Sequence, residues 1–161
     1  MADLQLARSR DDRRLYELAG IGTLRFHGWA SRGATAEAGG RSWQIARRGL
    51  WRTVVEATDV TGTPVGEFRA SAMRRGGTLR WAGNEFAVRP ASVWRERYAL
   101  IAGDGELAVL DAKGWGRRPV RVTLDDGDPP EPGLVLFAAF IVKGLAEDTG
   151  AAAGASAAAA S

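Results

Sequence analysis

Nine apolar residues in unbroken succession, Leu134 to Val142, constrain this chain more than any other feature; they sit in "DDGDPPEPGLVLFAAFIVKGLAED", Asp125 to Asp148. A helix that crosses a bilayer needs about twenty apolar residues to span a core of about 30 Å. Nine residues of helix reach about 14 Å, half that thickness, so no transmembrane span is expected. Val135, Phe137, Phe140, Ile141 and Val142 would suit a strand. Helix is favoured by Pro132, which fits a first turn where a missing N–H costs nothing. Ala138-Ala139 and a stretch of helical length from Pro132 to Glu147 point the same way. An element that is apolar on every face is buried on every face. Leu134, Leu136, Phe137, Phe140 and Ile141 are therefore expected to form a core helix, and the economical container for it is a closed barrel.

The rest of the chain supplies that container. Between Leu15 and Asp126 the pattern is short and two-periodic. "RSWQIAR" (41–47) puts Trp43 and Ile45 on one face, and "PVRVTLD" (119–125) alternates Val120, Val122 and Leu124 against Arg121 and Thr123. "LWRTVVEAT" (50–58), "TLRWAG" (78–83), "EFAVR" (85–89), "RERYALIAG" (95–103) and "ELAVLDA" (106–112) read as strands; "LYEL" and "LRFHGWA" are plausible earlier ones and "GATAEA" (33–38) is a weak one. In "PVGEFRAS" (64–71) Val65 falls out of phase with Glu67 and Phe68, which predicts a bulge or a weak register. Turn signals recur at Gly39-Gly40, Asp59 to Thr63, Gly76-Gly77, Gly83-Asn84, Asp104-Gly105 and Lys113-Gly114. Gly83-Asn84 and Asp104-Gly105 are hairpin signals. Many short strands at this spacing mean an antiparallel sandwich or barrel. The fold class expected is all-β with one buried helix.

One domain is the default at 161 residues. Residues 1–13 read as a flexible lead-in, 14–148 as the folded domain and 149–161, "TGAAAGASAAAAS", as a disordered Ala-rich tail, since so short a segment makes a marginal helix in water. The N-terminus has no apolar core of signal-peptide type, so a cytoplasmic location is expected. With no cysteine, disulfides and thiolate metal sites are out.

The string "GTLRFHGWA", "GRSWQIARRGLWRTVVEATDVTGTPVGEFRA", "GTLRWAGNEFAVRP", "WRERYALIAGDGELAVLD" and "GLVLFAAFIVKGL" resembles the tubby C-terminal-like superfamily, in its phospholipid scramblase and LURP-one-related branch. Two details carry the resemblance, Gly49-Leu50-Trp51-Arg52 as a "Gly-hydrophobic-x-Arg" opening and the terminal apolar helix. It covers roughly residues 15 to 147 and implies a closed barrel of about twelve strands around a hydrophobic C-terminal helix. It also implies a link to calcium for scramblase-type proteins and to phosphoinositides for tubby proteins, with no residue of this chain carried over for either.

The chemistry is sparse. The one histidine, His27, has no nucleophile motif around it, and no catalytic residue is assigned. Asp125, Asp126, Asp128 and Glu131 miss the calcium-loop spacing, because Gly127 comes too early and Glu131 too near. They read as a solvated acidic loop that suits a helix N-terminus. No metal site or cofactor is expected. Gly20-Ile21-Gly22 is half a dinucleotide fingerprint and reads as a turn. The positive signal is arginine. All but Lys113 and Lys143 of the 22 basic residues are arginine, which suits phosphate and carboxylate recognition. Arg47-Arg48, Arg74-Arg75 and Arg117-Arg118 each stand at a strand end. If two such pairs share a barrel end, they form an anionic-ligand site. With a net charge of only +3 and tryptophans expected in core or rim positions, nucleic acid is disfavoured. Three readings of function follow. The first is a non-enzymatic domain on an anionic phospholipid surface. The second is a structural or protein-interaction module. The third is a small-ligand barrel, which conflicts with a plugged interior.

Overall fold

A computed structural model describes residues 2–28, 33–49, 54–72, 75–92, 96–112 and 120–159, with side chains described as far as 148. The elements are β1 (Ala2–Arg8), β2 (Leu15–Leu18), β3 (Gly22–Phe26), β4 (Gly33–Ala38), β5 (Arg41–Arg48), β6 (Val54–Thr58), β7 (Pro64–Ala70), β8 (Gly77–Trp81), β9 (Asn84–Ser92), β10 (Arg97–Ala102), β11 (Gly105–Asp111), β12 (Val120–Leu124) and α1 (Pro132–Ala159). Each strand pairs antiparallel with its neighbours in sequence, and β1 pairs with β12, so the sheet closes on itself as an up-and-down barrel of twelve strands. A closed barrel has no free edge strand.

Twelve strands enclose more space than their own side chains fill, and α1 occupies it. Leu134 to Val142 are all buried, Leu136, Phe137, Ala138, Ala139 and Val142 fully so. The inward wall alternates as the pleat requires. Leu24 and Phe26 of β3, Trp43 and Ile45 of β5, Val120, Val122 and Leu124 of β12 face α1, and among the described residues no polar or charged residue is buried. The helix lies closest to β3 and β4. The reason is legible in "GATAEA", whose inward positions are Ala34, Ala36 and Ala38. A wall of methyl groups lets a helix backbone approach, so the weakest-looking strand has the smallest side chains because it is the one the helix leans on.

Three expectations are corrected. Residues 2–8 are not a lead-in but β1, which pairs Leu4 with Val122 and Leu6 with both Val120 and Leu18; Leu6 is fully buried. These two leucines alternate with Asp3, Gln5 and Ala7, enough for one closing strand. The helix does not end at Asp148. It continues through residues 149–159 to Ala159, because extension of an existing helix needs no new nucleus. The hairpin turns also shift by one residue. Trp81 pairs with Asn84 and Ala102 with Gly105, so the turns are Ala82-Gly83 and Gly103-Asp104. Ala82 and Gly83 both have positive φ, while the second turn places glycine first, the two patterns that two-residue hairpins favour. The bulge at Val65 is present, since Ala57 pairs with Gly66 and Thr58 with Pro64.

The β6–β7 turn is locked by Asp59. Its Oδ1 accepts from the Thr61 hydroxyl (2.6 Å), the Thr61 amide (2.9 Å) and the Thr63 amide (3.0 Å). The Thr61 hydroxyl first, then the Thr63 amide, hold the Asp59 carboxyl below the ordinary aspartate value. A depressed pKa means that the lock is present above the ordinary range, about 3.9, and is lost as pH falls through the lowered value. An NMR titration of the Asp59 carboxyl carbon should give a midpoint below that of an unstructured aspartate, and Thr61→Ala should move it back up.

Candidate functional site: a barrel with two unlike rims

An up-and-down barrel sorts its connections strictly. Those that follow even-numbered strands lie at the rim where α1 begins, here the lower rim; those that follow odd-numbered strands lie at the upper rim, where α1 leaves. The lower-rim segments are 19–21, 39–40, 59–63, 82–83, 103–104 and 125–131. Their charged residues are Asp59, Asp104, Asp125, Asp126, Asp128 and Glu131, with no basic residue among them. The described upper-rim connection residues are 9–14, 27–28, 49, 71–72, 75–76, 96 and 112. They carry Arg10, Arg13, Arg14 and Arg75 together with Asp11, Asp12 and Glu96. Residues 29–32, 50–53, 73–74, 93–95 and 113–119 lie outside the described residues. Among the described residues the two rims therefore differ: every charged residue of the lower connections is acidic, and the upper ones hold every connection arginine.

The structure places the sequence-predicted arginines unequally. Arg74, Arg117 and Arg118 lie outside the described residues. Arg75 stands at the upper rim, before Gly76. Arg47 and Arg48 end β5 at the same rim but on opposite faces of the sheet, because successive strand residues alternate. Arg48 points outward and pairs with Glu56 (3.1 Å). Arg47 follows Trp43 and Ile45 inward and meets α1, where its Nη1 lies 3.5 Å from Asp148 Oδ2 and its guanidinium sits 6.0 Å over the Phe140 ring.

Sequence reasoning missed the second cation of this mouth as a partner of Arg47. Lys143 stands on α1 one helical turn past Phe140. Its Nζ lies 5.0 Å from the Phe26 ring centroid and 5.8 Å from that of Tyr16, and it contacts Glu147. Phe26 and Phe140 stack at 5.7 Å. The mouth is therefore a cation, two stacked rings and a second cation. The i, i+4 step from Lys143 to Glu147 was available in the sequence; the approach of Arg47 was not, since it depends on barrel closure.

At the lower rim α1 is clasped. Glu131, just before Pro132, accepts the Trp81 indole N–H (3.0 Å) and a guanidinium N–H of Arg41 (3.1 Å). Arg41 lies 5.4 Å over Trp43, and Trp43 meets Trp81 edge-on at 5.7 Å. Glu131, singled out for its acidic loop, is thus a structural anchor. Among the described residues no group of three or more His, Asp or Glu side chains is gathered as a metal site would be, and no helix is long and apolar enough to cross a membrane.

No family model matches the chain, and no curated protein or solved structure matches it either. The two rims and the plugged interior are what a functional reading has to stand on.

Proposed function

We propose that this chain is a non-enzymatic cytoplasmic domain that docks its upper rim on anionic phospholipid head groups. The observation that carries the reading is the charge asymmetry of the barrel. Among the described residues the upper-rim connections hold Arg10, Arg13, Arg14 and Arg75 with Asp11, Asp12 and Glu96, and every charged residue in the lower-rim connections is acidic. A barrel so polarised is turned toward an acidic surface by its own field. Two further features support it. Arginine prefers phosphate in bidentate contact. The arginines far outnumber the lysines, 20 of the 22 basic residues, so the basic surface is of the type that forks onto phosphate. The resemblance to scramblase-related proteins agrees with this reading.

Co-sedimentation with vesicles tests it. Binding to phosphatidylserine-containing vesicles should exceed binding to phosphatidylcholine alone and weaken as salt rises. At about 1 kcal/mol per basic residue near an acidic surface, Arg74→Ala/Arg75→Ala should weaken binding on the order of tenfold or more. Equal recovery on neutral vesicles, or indifference to salt, would overturn the reading and leave a protein-interaction module in its place.

A further inference from the structure

We infer that Glu147 and Asp148 act as built-in counter-anions at the upper mouth, occupying a site that Arg47 and Lys143 form for a phosphate group. The inference rests on the docking reading above for its lipid source, and on the mouth geometry for the site itself. The two cations are the more enclosed groups. Arg47 lies against α1 over the Phe140 ring with its side chain 12% exposed, and Lys143, over Phe26 and Tyr16, is 21% exposed. Partly desolvated cations on ring faces demand a counter-charge. The two carboxylates are more open to solvent. Glu147 and Asp148 are 45% and 55% exposed, on the turn of α1 that leaves the barrel. The Asp148 contact also leaves the guanidinium incompletely used, because Arg47 Nε is buried without a hydrogen-bond partner.

The helix is shaped for this arrangement. Position 144 is glycine, and a Cβ there would overlap the Arg47 guanidinium. Gly144 lies one residue past Lys143 and four before Asp148, so both cations meet the same helical turn and both carboxylates follow on the next. Enclosed cations with exposed carboxylates are the arrangement in which an incoming phosphate, with more acceptor oxygens per group, displaces the internal partner. The pair would then hold the affinity of the resting mouth down.

Two probes separate the possible sources of phosphate: phosphatidylcholine vesicles carrying phosphatidic acid, and inorganic phosphate in solution. Glu147→Gln/Asp148→Asn should bind both more tightly, on the order of tenfold for two charges removed. Asp11→Asn/Asp12→Asn removes the same charge from the same rim and should gain several times less. Adding Arg47→Met to the first variant should abolish its gain. Equal gains from the two carboxylate pairs, or no gain in phosphate affinity for Glu147→Gln/Asp148→Asn, would overturn the inference. If vesicles are ignored by every variant while phosphate binding responds as expected, the mouth site stands and the lipid reading fails.

Discussion

Phe137→Ala should cost the folded state about 3–5 kcal/mol, the range for removing a buried phenylalanine. Phe137 is fully buried on α1 at the axis of the barrel, with its ring 5.5 Å from that of Trp81. It also fills the space above Gly66, where a Cβ would come 3.2 Å from Phe137 Cε1. The cavity left by alanine would be hard to collapse, because the wall is a closed ladder whose circumference is fixed by hydrogen bonds. That puts the cost toward the upper part of the range. Urea denaturation at unchanged m-value measures it. A loss below about 1 kcal/mol would mean that the helix is not core, since a side chain facing lipid or water loses far less.

Among the glycines of α1, Gly133→Ala should be damaging and Gly144→Ala its mild counterpart. A Cβ at position 133 would lie 2.5 Å from Trp81 Cζ2 and 2.9 and 3.0 Å from two ring atoms of Trp43. Both indoles are buried, they pack against each other, and Trp81 is tied to Glu131. The rings cannot give without breaking the clasp, so overpacking of about 1–3 kcal/mol is expected. A change in tryptophan fluorescence should accompany it. At position 144 the obstacle is the far end of the Arg47 side chain, which can swing outward. Alanine there recovers about 1 kcal/mol of helix propensity, so the net change should be near zero. Equal losses at the two positions would contradict this account of the clasp.

The fold was legible where hydrophobic pattern decides. The apolar run implied a buried helix, the helix implied a barrel, and Val65 announced its bulge. The closing strand β1 was not legible, because "ADLQLAR" has only Leu4 and Leu6 to offer and its partner β12 lies far along the chain. The one-residue offset at Gly103-Asp104 goes with a register shift between Leu100 and Ile101, which a dipeptide signal does not reveal. The site was legible as arginine pairs and illegible as geometry. Arg47 and Arg48 look alike in sequence, yet one faces the helix and the other Glu56. Which turns share a rim emerges only from the direction of every strand, and that count turns scattered charge into an axis.

The seam between β1 and β12 also bears on how the molecule assembles. Every other strand pair joins neighbours along the chain, so most of the sheet can grow by hairpins in order of synthesis. The seam, with Thr123 donating to Asp3 across 120 residues, has to wait, and such long-range closures are slow. The helix is made after every strand, yet it belongs in the middle. The sheet must therefore remain open, with its apolar inner face uncovered, until Leu134 to Val142 arrive. During that interval the nascent chain is at its most aggregation-prone, and a chain stopped at Leu124 would remain in that condition.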